Sequence, residues 1–205
     1  IINFGVCFDG DGDRAIIVDS SGNILDGDDL LYLFAIHSKD NNKAVGTVMT
    51  NYGIRGNLEK KGINFIETDV GDKNVLASIM KNQAYIGAES SGHIIHTNIA
   101  DIPIGDGLVT LIKFIHLLFD TNKNIEEIYP ASLKIPSKLI NIESNAPDNF
   151  LKKNQLIFTK VREKLENGGR IFIRKSGTQS LIRVLLEHKS PQVLDEANTM
   201  IRNIE

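Results

Sequence analysis

Tryptophan is absent from this 205-residue chain, and cysteine occurs once, at Cys7. A lone thiol cannot close an internal disulfide, which fits a reducing compartment. Apolar runs are short, far below the ~18 residues a membrane span needs. Neither sign of charge dominates, with 23 Lys and Arg against 26 Asp and Glu. A net charge of −3 offers no basic footprint for nucleic acid. Proline is sparse, and the composition is not that of a disordered chain. These exclusions leave an ordinary globular protein, long enough for one large domain or two small ones. A core that buries about 70% of the unfolded surface can hold such a chain without a staple. The chain begins at Ile1 with no charged segment or apolar leader before its first strand. The expectation is therefore the rear part of a longer protein.

The period of the apolar residues changes along the chain. Phe4–Phe8 and Ala15–Asp19 read as strands, with a short return strand at Ile24-Leu25. From Gly27 a helical stripe of Leu30, Leu31, Leu33, Phe34 and Ile36 begins, with Asp28 or Asp29 as its expected N-cap. Strands at 44–49, 63–66 and 84–87 then alternate with helices at 52–61 and 72–81. A strongly apolar helix follows at 108–119, capped by Asp106. Such alternation predicts crossover units and a mostly parallel sheet. After Tyr129-Pro130 the order becomes strand, helix, strand, strand, helix, closing with a helix opened by Pro191. The expected fold class is an α/β domain with a mixed or parallel sheet, followed by a small α+β domain. The expected division is 1–25, 26–127 and 128–205, the first being the end of an incomplete domain.

Asp9, Asp11 and Asp13 alternate with Gly10 and Gly12. At ~5 Å and an effective dielectric near 20, each carboxylate pair costs about 3 kcal/mol, so the trio costs on the order of 10. A divalent cation removes that cost, and hard oxygen ligands suit Mg²⁺ or Ca²⁺. An EF-hand needs Gly and Glu at the sixth and twelfth places of its loop, where this chain has Arg14 and Ser20. The flanks also read as strands, which weakens a Ca²⁺-module reading. The plain alternative is a solvated acidic turn.

Two further segments carry polar groups suited to a phosphorylated sugar. Glu89, Ser91 and His93 alternate after the 84–87 strand, so in an extended chain all three point to one side. Carboxylate and hydroxyl suit sugar hydroxyls, and histidine suits acid–base work. Arg174, Ser176, Gly177 and Thr178 form a compact anion cradle between two strands, with Arg183 on the second strand. A polar strand-end turn and a hairpin with surface cations are the plain alternatives. His96 and His116 read as structural.

Taken together, these segments resemble the α-D-phosphohexomutases, closest to members acting on glucosamine phosphates. The resemblance rests on FDGDGDR at 8–14, GTVMTNYGI at 46–54, VGDKNV at 70–75, GAESSGHII at 87–95, GDG at 105–107 and RKSGTQSLIRVLLE at 174–187. They run in the family's order across essentially the whole chain. The resemblance implies a four-domain enzyme, of which this chain holds the end of the second domain, the third and the fourth. It implies that Asp9, Asp11 and Asp13 hold Mg²⁺ and that Arg14 steadies the transferring phosphoryl group. Glu89 and Ser91 would grip sugar hydroxyls, with His93 at the reaction centre. Arg174, Ser176, Gly177, Thr178 and Arg183 would hold the phosphate that does not react. The implied reaction interconverts glucosamine 6-phosphate and glucosamine 1-phosphate through a phosphoserine enzyme and a bisphosphate. The implied partners are the hexosamine phosphate and the enzyme's own N-terminal domains, and the implied location is cytoplasmic.

The departures from the family pattern are specific. Gln179-Ser180 replaces Glu-Pro, and Lys73-Asn74 replaces Arg-Tyr, which keeps a charge but loses the guanidinium fork. No segment matches the family's phosphoserine loop. The rival expectation is thus a non-catalytic fragment that at most binds metal and sugar phosphate.

Overall fold

Strands buried on both faces favour continuous apolar runs, and the Ala44–Thr47 stretch is such a run. The computed structural model describes residues 4–38, 42–97, 103–129, 133–176 and 179–204. It begins with β1 (Phe4–Phe8), β2 (Ala15–Asp19) and β3 (Ile24–Leu25), an antiparallel sheet in that order. The elements α1 (Gly27–Ile36), β4 (Lys43–Thr47), α2 (Tyr52–Lys60), β5 (Asn64–Thr68), α3 (Asp72–Asn82) and β6 (Ile86–Ala88) follow. Next come β7 (Ile94–His96), β8 (Ile104–Gly105), α4 (Gly107–Thr121) and α5 (Ile125–Ile128).

The second sheet runs β5-β4-β6-β7-β8. Its β5, β4 and β6 are parallel, as the alternation with helices requires, while β7 and β8 add antiparallel strands. Those two short strands, of three and two residues, are absent from the sequence reading. Ile17, Leu25, Leu30, Leu33, Ile54, Ile86, Ile94 and Phe114 join one core from both sheets and the helices between them. On α4 the buried stripe is Thr110, Phe114, Leu117 and Leu118, while Leu108, Ile112 and Phe119 are exposed.

One expectation needs correction. Asp26, not Asp28 or Asp29, caps α1. Its carboxylate accepts from Asp28 N–H and Asp29 N–H, and Asp29 returns the favour to Asp26 N–H. The cap moves forward because Asp29 is needed at the third helical position of this capping box. Asp29 is buried there and accepts a short hydrogen bond from the Tyr129 hydroxyl. Burial, and then the Asp29 charge, push that phenol far above its ordinary range.

The chain forms two compact units. One unit comprises residues 1–50 and 54–133, the other 51–53 and 134–205. Ile17 and Leu25 enter the core of the first unit. Ile128, Tyr129 and Leu133 also pack against that core.

The second unit has β9 (Ser137–Glu143), α6 (Pro147–Lys153), α7 (Gln155–Leu165), β10 (Gly169–Lys175), β11 (Leu181–His188) and α8 (Pro191–Arg202). Its antiparallel sheet runs β10-β11-β9. Ile182, Val184 and Leu186 alternate toward a core shared with Phe158, Val161, Leu165, Leu194, Ala197 and Ile201. Arg183, Leu185 and Glu187 therefore take the other face. Glu187 is buried there and accepts from Arg170 Nε at 2.6 Å. Among the described residues, no helix is long and apolar enough to cross a membrane.

Candidate functional site

The acidic loop joins β1 to β2, and its short span between paired strands crowds the carboxylates. One oxygen from each of Asp9, Asp11 and Asp13 lies within 4.8 Å of the others. Asp9 and Asp11 are exposed and Asp13 is half-buried. The arrangement is lopsided in its proton affinity. Desolvation, reinforced by the charges of Asp11 and Asp9, raises Asp13 above the usual carboxylate range despite His93 opposite. Desolvation also works to raise Asp9, but the Arg14 N–H, Asp13 and the Arg14 guanidinium outweigh it and hold Asp9 low.

Arg14 closes the loop upon itself. Its backbone N–H donates to Asp9 Oδ1 at 3.2 Å, and its Nε lies 3.3 Å from Asp9 Oδ2 and 3.6 Å from Asp13 Oδ1. Yet Asp13 Oδ1 is sealed from solvent and has no hydrogen-bond partner among the described residues. A buried anionic oxygen without a partner is costly. Three converging carboxylates and that orphaned oxygen fit a hard divalent cation such as Mg²⁺.

The β6–β7 connection sits against this loop. Ala15 N–H donates to Gly92 O at 3.1 Å, and Arg14 and His93 form an antiparallel bridge. His93 is buried, with Nε2 3.6 Å from Asp13 Oδ2. The extended segment that would put Glu89, Ser91 and His93 on one side does not form, and the polar strand-end turn does. The segment is a tight turn, in which Glu89 N–H donates to His93 O and Gly92 N–H to Glu89 O, both at 3.0 Å. A hairpin is forced because β7 must return antiparallel beside β6, so simple alternation no longer holds. His93 faces the acidic loop, and Ser91 is exposed in the turn. Glu89 Oε1 accepts from Gly71 N–H at 2.9 Å, immediately before α3. That bond joins the 70–75 loop to the 87–95 turn, two segments distant in sequence.

The structure also brings in residues to which the sequence reading gave no role. Gly107 N–H, at the first position of α4, donates to Gly12 O at 2.9 Å within the acidic loop. The GDG tripeptide signalled family resemblance, but nothing in its local pattern points to a loop more than 90 residues earlier.

In the second unit, Arg174 on β10 stands directly opposite Arg183 on β11, and Asn141 on β9 completes the row. Like charges directly opposite on a sheet repel. Both Nε atoms are buried and have no hydrogen-bond partner among the described residues. Ser176 is half-buried at the end of β10, where its N–H donates to Leu181 O at 2.9 Å. Lys175 is turned elsewhere, onto Asp148 at 2.9 Å. Gly177 and Thr178 lie outside the described residues. Two guanidinium groups so opposed are chemically suited to an anion. His96 and His116 behave as structural residues: His96 is buried against Thr110, and His116 is exposed on α4.

Comparison with known proteins bears on all these segments. The phosphoglucomutase/phosphomannomutase α/β/α domain III matches residues 26–134, and the C-terminal domain of the same family matches residues 135–204. A phosphoglucosamine mutase of Buchnera aphidicola is 36% identical over 208 residues, covering 98% of this chain and 46% of that protein. The phosphoglucosamine mutase of Bacillus subtilis is also 36% identical, covering 95% and 44%. The chain thus spans about half the length of the curated relatives it matches. An Aspergillus fumigatus N-acetylphosphoglucosamine mutase, solved with GlcNAc-6P and magnesium, superposes with a TM-score of 0.75 at 20% identity. The superposition covers all of this chain and 48% of that one. A Burkholderia thailandensis phosphoglucomutase/phosphomannomutase family protein gives 0.75 at 21%, covering 98% and 46%. With its third and fourth domains matched in order, this chain belongs to the phosphoglucomutase/phosphomannomutase family, the α-D-phosphohexomutases.

Proposed function

We propose that the chain is the C-terminal part of a Mg²⁺-dependent phosphoglucosamine mutase, interconverting glucosamine 6-phosphate and glucosamine 1-phosphate. The observation that carries this reading is the Asp9, Asp11 and Asp13 cluster, with a sealed oxygen on Asp13 that accepts no hydrogen bond among the described residues, beside Arg14 and His93. The curated relatives of that name, matched over nearly the whole chain, support the choice of sugar.

Phosphoryl transfer asks mainly for positioning and for cationic groups around the moving charge. Bound at the three aspartates, Mg²⁺ would neutralise charge on the phosphoryl oxygens. Arg14 presents its guanidinium at the mouth of the same loop, where it can meet the transferring phosphoryl group. Glu89 and Ser91 would hold sugar hydroxyls, with Glu89 already oriented by the Gly71 N–H. His93 stands at the reaction centre, able to exchange a proton with a sugar oxygen. Arg174, Arg183, Ser176, Gly177 and Thr178 would bind the phosphate that stays in place while the other is transferred. The phosphoserine donor and the bisphosphate intermediate belong to the proposal, the serine lying on a part of the enzyme outside these residues. A cytoplasmic location follows from the proposed substrate.

The test joins this chain to the N-terminal half of the Bacillus subtilis relative and assays glucosamine 6-phosphate turnover. Activity should require Mg²⁺, vanish on chelation, and fall about 100-fold or more in Asp11→Asn, as for loss of one charge-stabilising group. Full activity in Asp11→Asn would remove the metal assignment. A hybrid that binds Mg²⁺ and sugar phosphate without turnover would favour the non-catalytic fragment.

A further inference from the structure

Glycine at the first position of a helix needs a reason. Alanine is the better helix former, and this position favours proline or ordinary residues. Gly107 does not have the positive φ that excludes a side chain. Its reason lies across the fold. A Cβ there would stand 2.7 Å from Arg14 O, 2.8 Å from Gly12 O and 2.9 Å from Phe8 Cδ1. Two of those atoms are backbone of the acidic loop and cannot swing aside as a flexible side chain would. Gly12 is the residue between Asp11 and Asp13, so its carbonyl sets where both carboxylates start.

Gly105, two residues earlier, repeats the argument on the other side of the site. It also lacks a positive φ, yet a Cβ would place His93 Nε2, Cε1 and Cδ2 all within 3.0 Å. The same Nε2 faces Asp13 Oδ2 at 3.6 Å. Between the glycines, Asp106 pins the turn by capping α4, its Oδ1 accepting from Val109 N–H at 3.0 Å.

We infer that the Gly105–Asp106–Gly107 turn is the positioning element of the carboxylate loop. Gly107 receives the loop backbone, Gly105 receives the imidazole against Asp13, and together they set the spacing of the three carboxylates and hence the affinity for a divalent cation. The inference rests on the metal reading above, but concerns residues that would touch neither metal nor sugar.

The experiment titrates the full 205-residue chain with Mn²⁺ as an electron-spin probe, and with Mg²⁺ in competition. The proteins are the wild type, Gly107→Ala, Gly105→Ala and Gly5→Ala. Gly5 is the control, because a Cβ on it meets nothing within 4 Å. Thermal melting is recorded for each, and titrations are run well below every midpoint. Gly107→Ala and Gly105→Ala should weaken Mn²⁺ binding at least tenfold while remaining folded, and Gly5→Ala should match the wild type. A merely structural role would lower the melting midpoint and leave affinity unchanged, and that result overturns the inference. If Gly107→Ala does not fold, Gly105→Ala decides, since it displaces a side chain rather than backbone. If the wild type itself binds no Mn²⁺, the metal reading fails and this inference falls with it. Wild-type binding retained in both folded glycine variants overturns the inference alone.

Discussion

Acid should destabilise the first unit through one histidine. His96 ends β7 in the interior, 1% exposed. Its Nε2 lies 3.1 Å from Thr110 Oγ1. The Thr110 hydroxyl donates its own proton to Asp106 O at 2.9 Å, so Nε2 carries the hydrogen that Thr110 Oγ1 accepts. Burial first, and the nearby Lys113 charge second, pull the imidazole from 6.5 down to about 3. The unfolded chain binds a proton at this residue below about pH 6.5, while the folded chain does not until about pH 3. Stability is therefore fully present above 6.5 and is lost as pH falls toward 3, at about 1.4 kcal/mol per pH unit. Between about pH 7.5 and pH 5 the loss attributable to His96 is about 2 kcal/mol. Urea unfolding, followed by the fluorescence of Tyr32, Tyr85 and Tyr129 in the same unit, measures it. His96→Gln can still donate to Thr110 but cannot titrate, so its stability should depend less on pH by that amount. Equal pH dependence in the two proteins would show that the unfolded chain gains no proton advantage here, and the buried neutral ring would be refuted.

Two further predictions concern the second unit. Glu187→Ala should cost about 3 kcal/mol, because it removes the buried carboxylate that accepts from both Arg170 Nε and Tyr52 N–H. Removing Arg170 as well should restore part of that loss in a urea-unfolding double-mutant cycle. Sulfate at ten times its dissociation constant should stabilise the second unit by about 1.4 kcal/mol. That gain should vanish in Arg174→Ala, as read from the unfolding midpoint with and without the anion.

Most of the architecture was legible in the sequence where a local rule carried it. The apolar period separates β4 from α2 and α3, and Asp106 marks the start of α4 by its own chemistry. The acidic loop was legible for the same reason: three carboxylates within five residues must meet wherever the chain folds. Arg174 and Arg183 were readable as cations on neighbouring strands, although their direct opposition needed the register of β10 on β11.

What the sequence left open depends on contacts between segments far apart along it. The alternation of Glu89, Ser91 and His93 suggested one face, but β7 pairs back on β6 and folds them into a turn. Asp26 displaces its neighbours as the α1 cap because Asp29 is drawn inward, where Tyr129, 100 residues later, donates to it. The division into units turns on which core claims Ile17, Ile128 and Leu133. By itself, then, the sequence determined most element types, the acidic loop and the family pattern, since propensity, period and charge repulsion act over a few residues. Only the tertiary structure decided that Gly107 supports Gly12 and that His93 faces Asp13. Close packing and hydrogen bonding between distant segments place those atoms, and no local pattern encodes a distance across a fold.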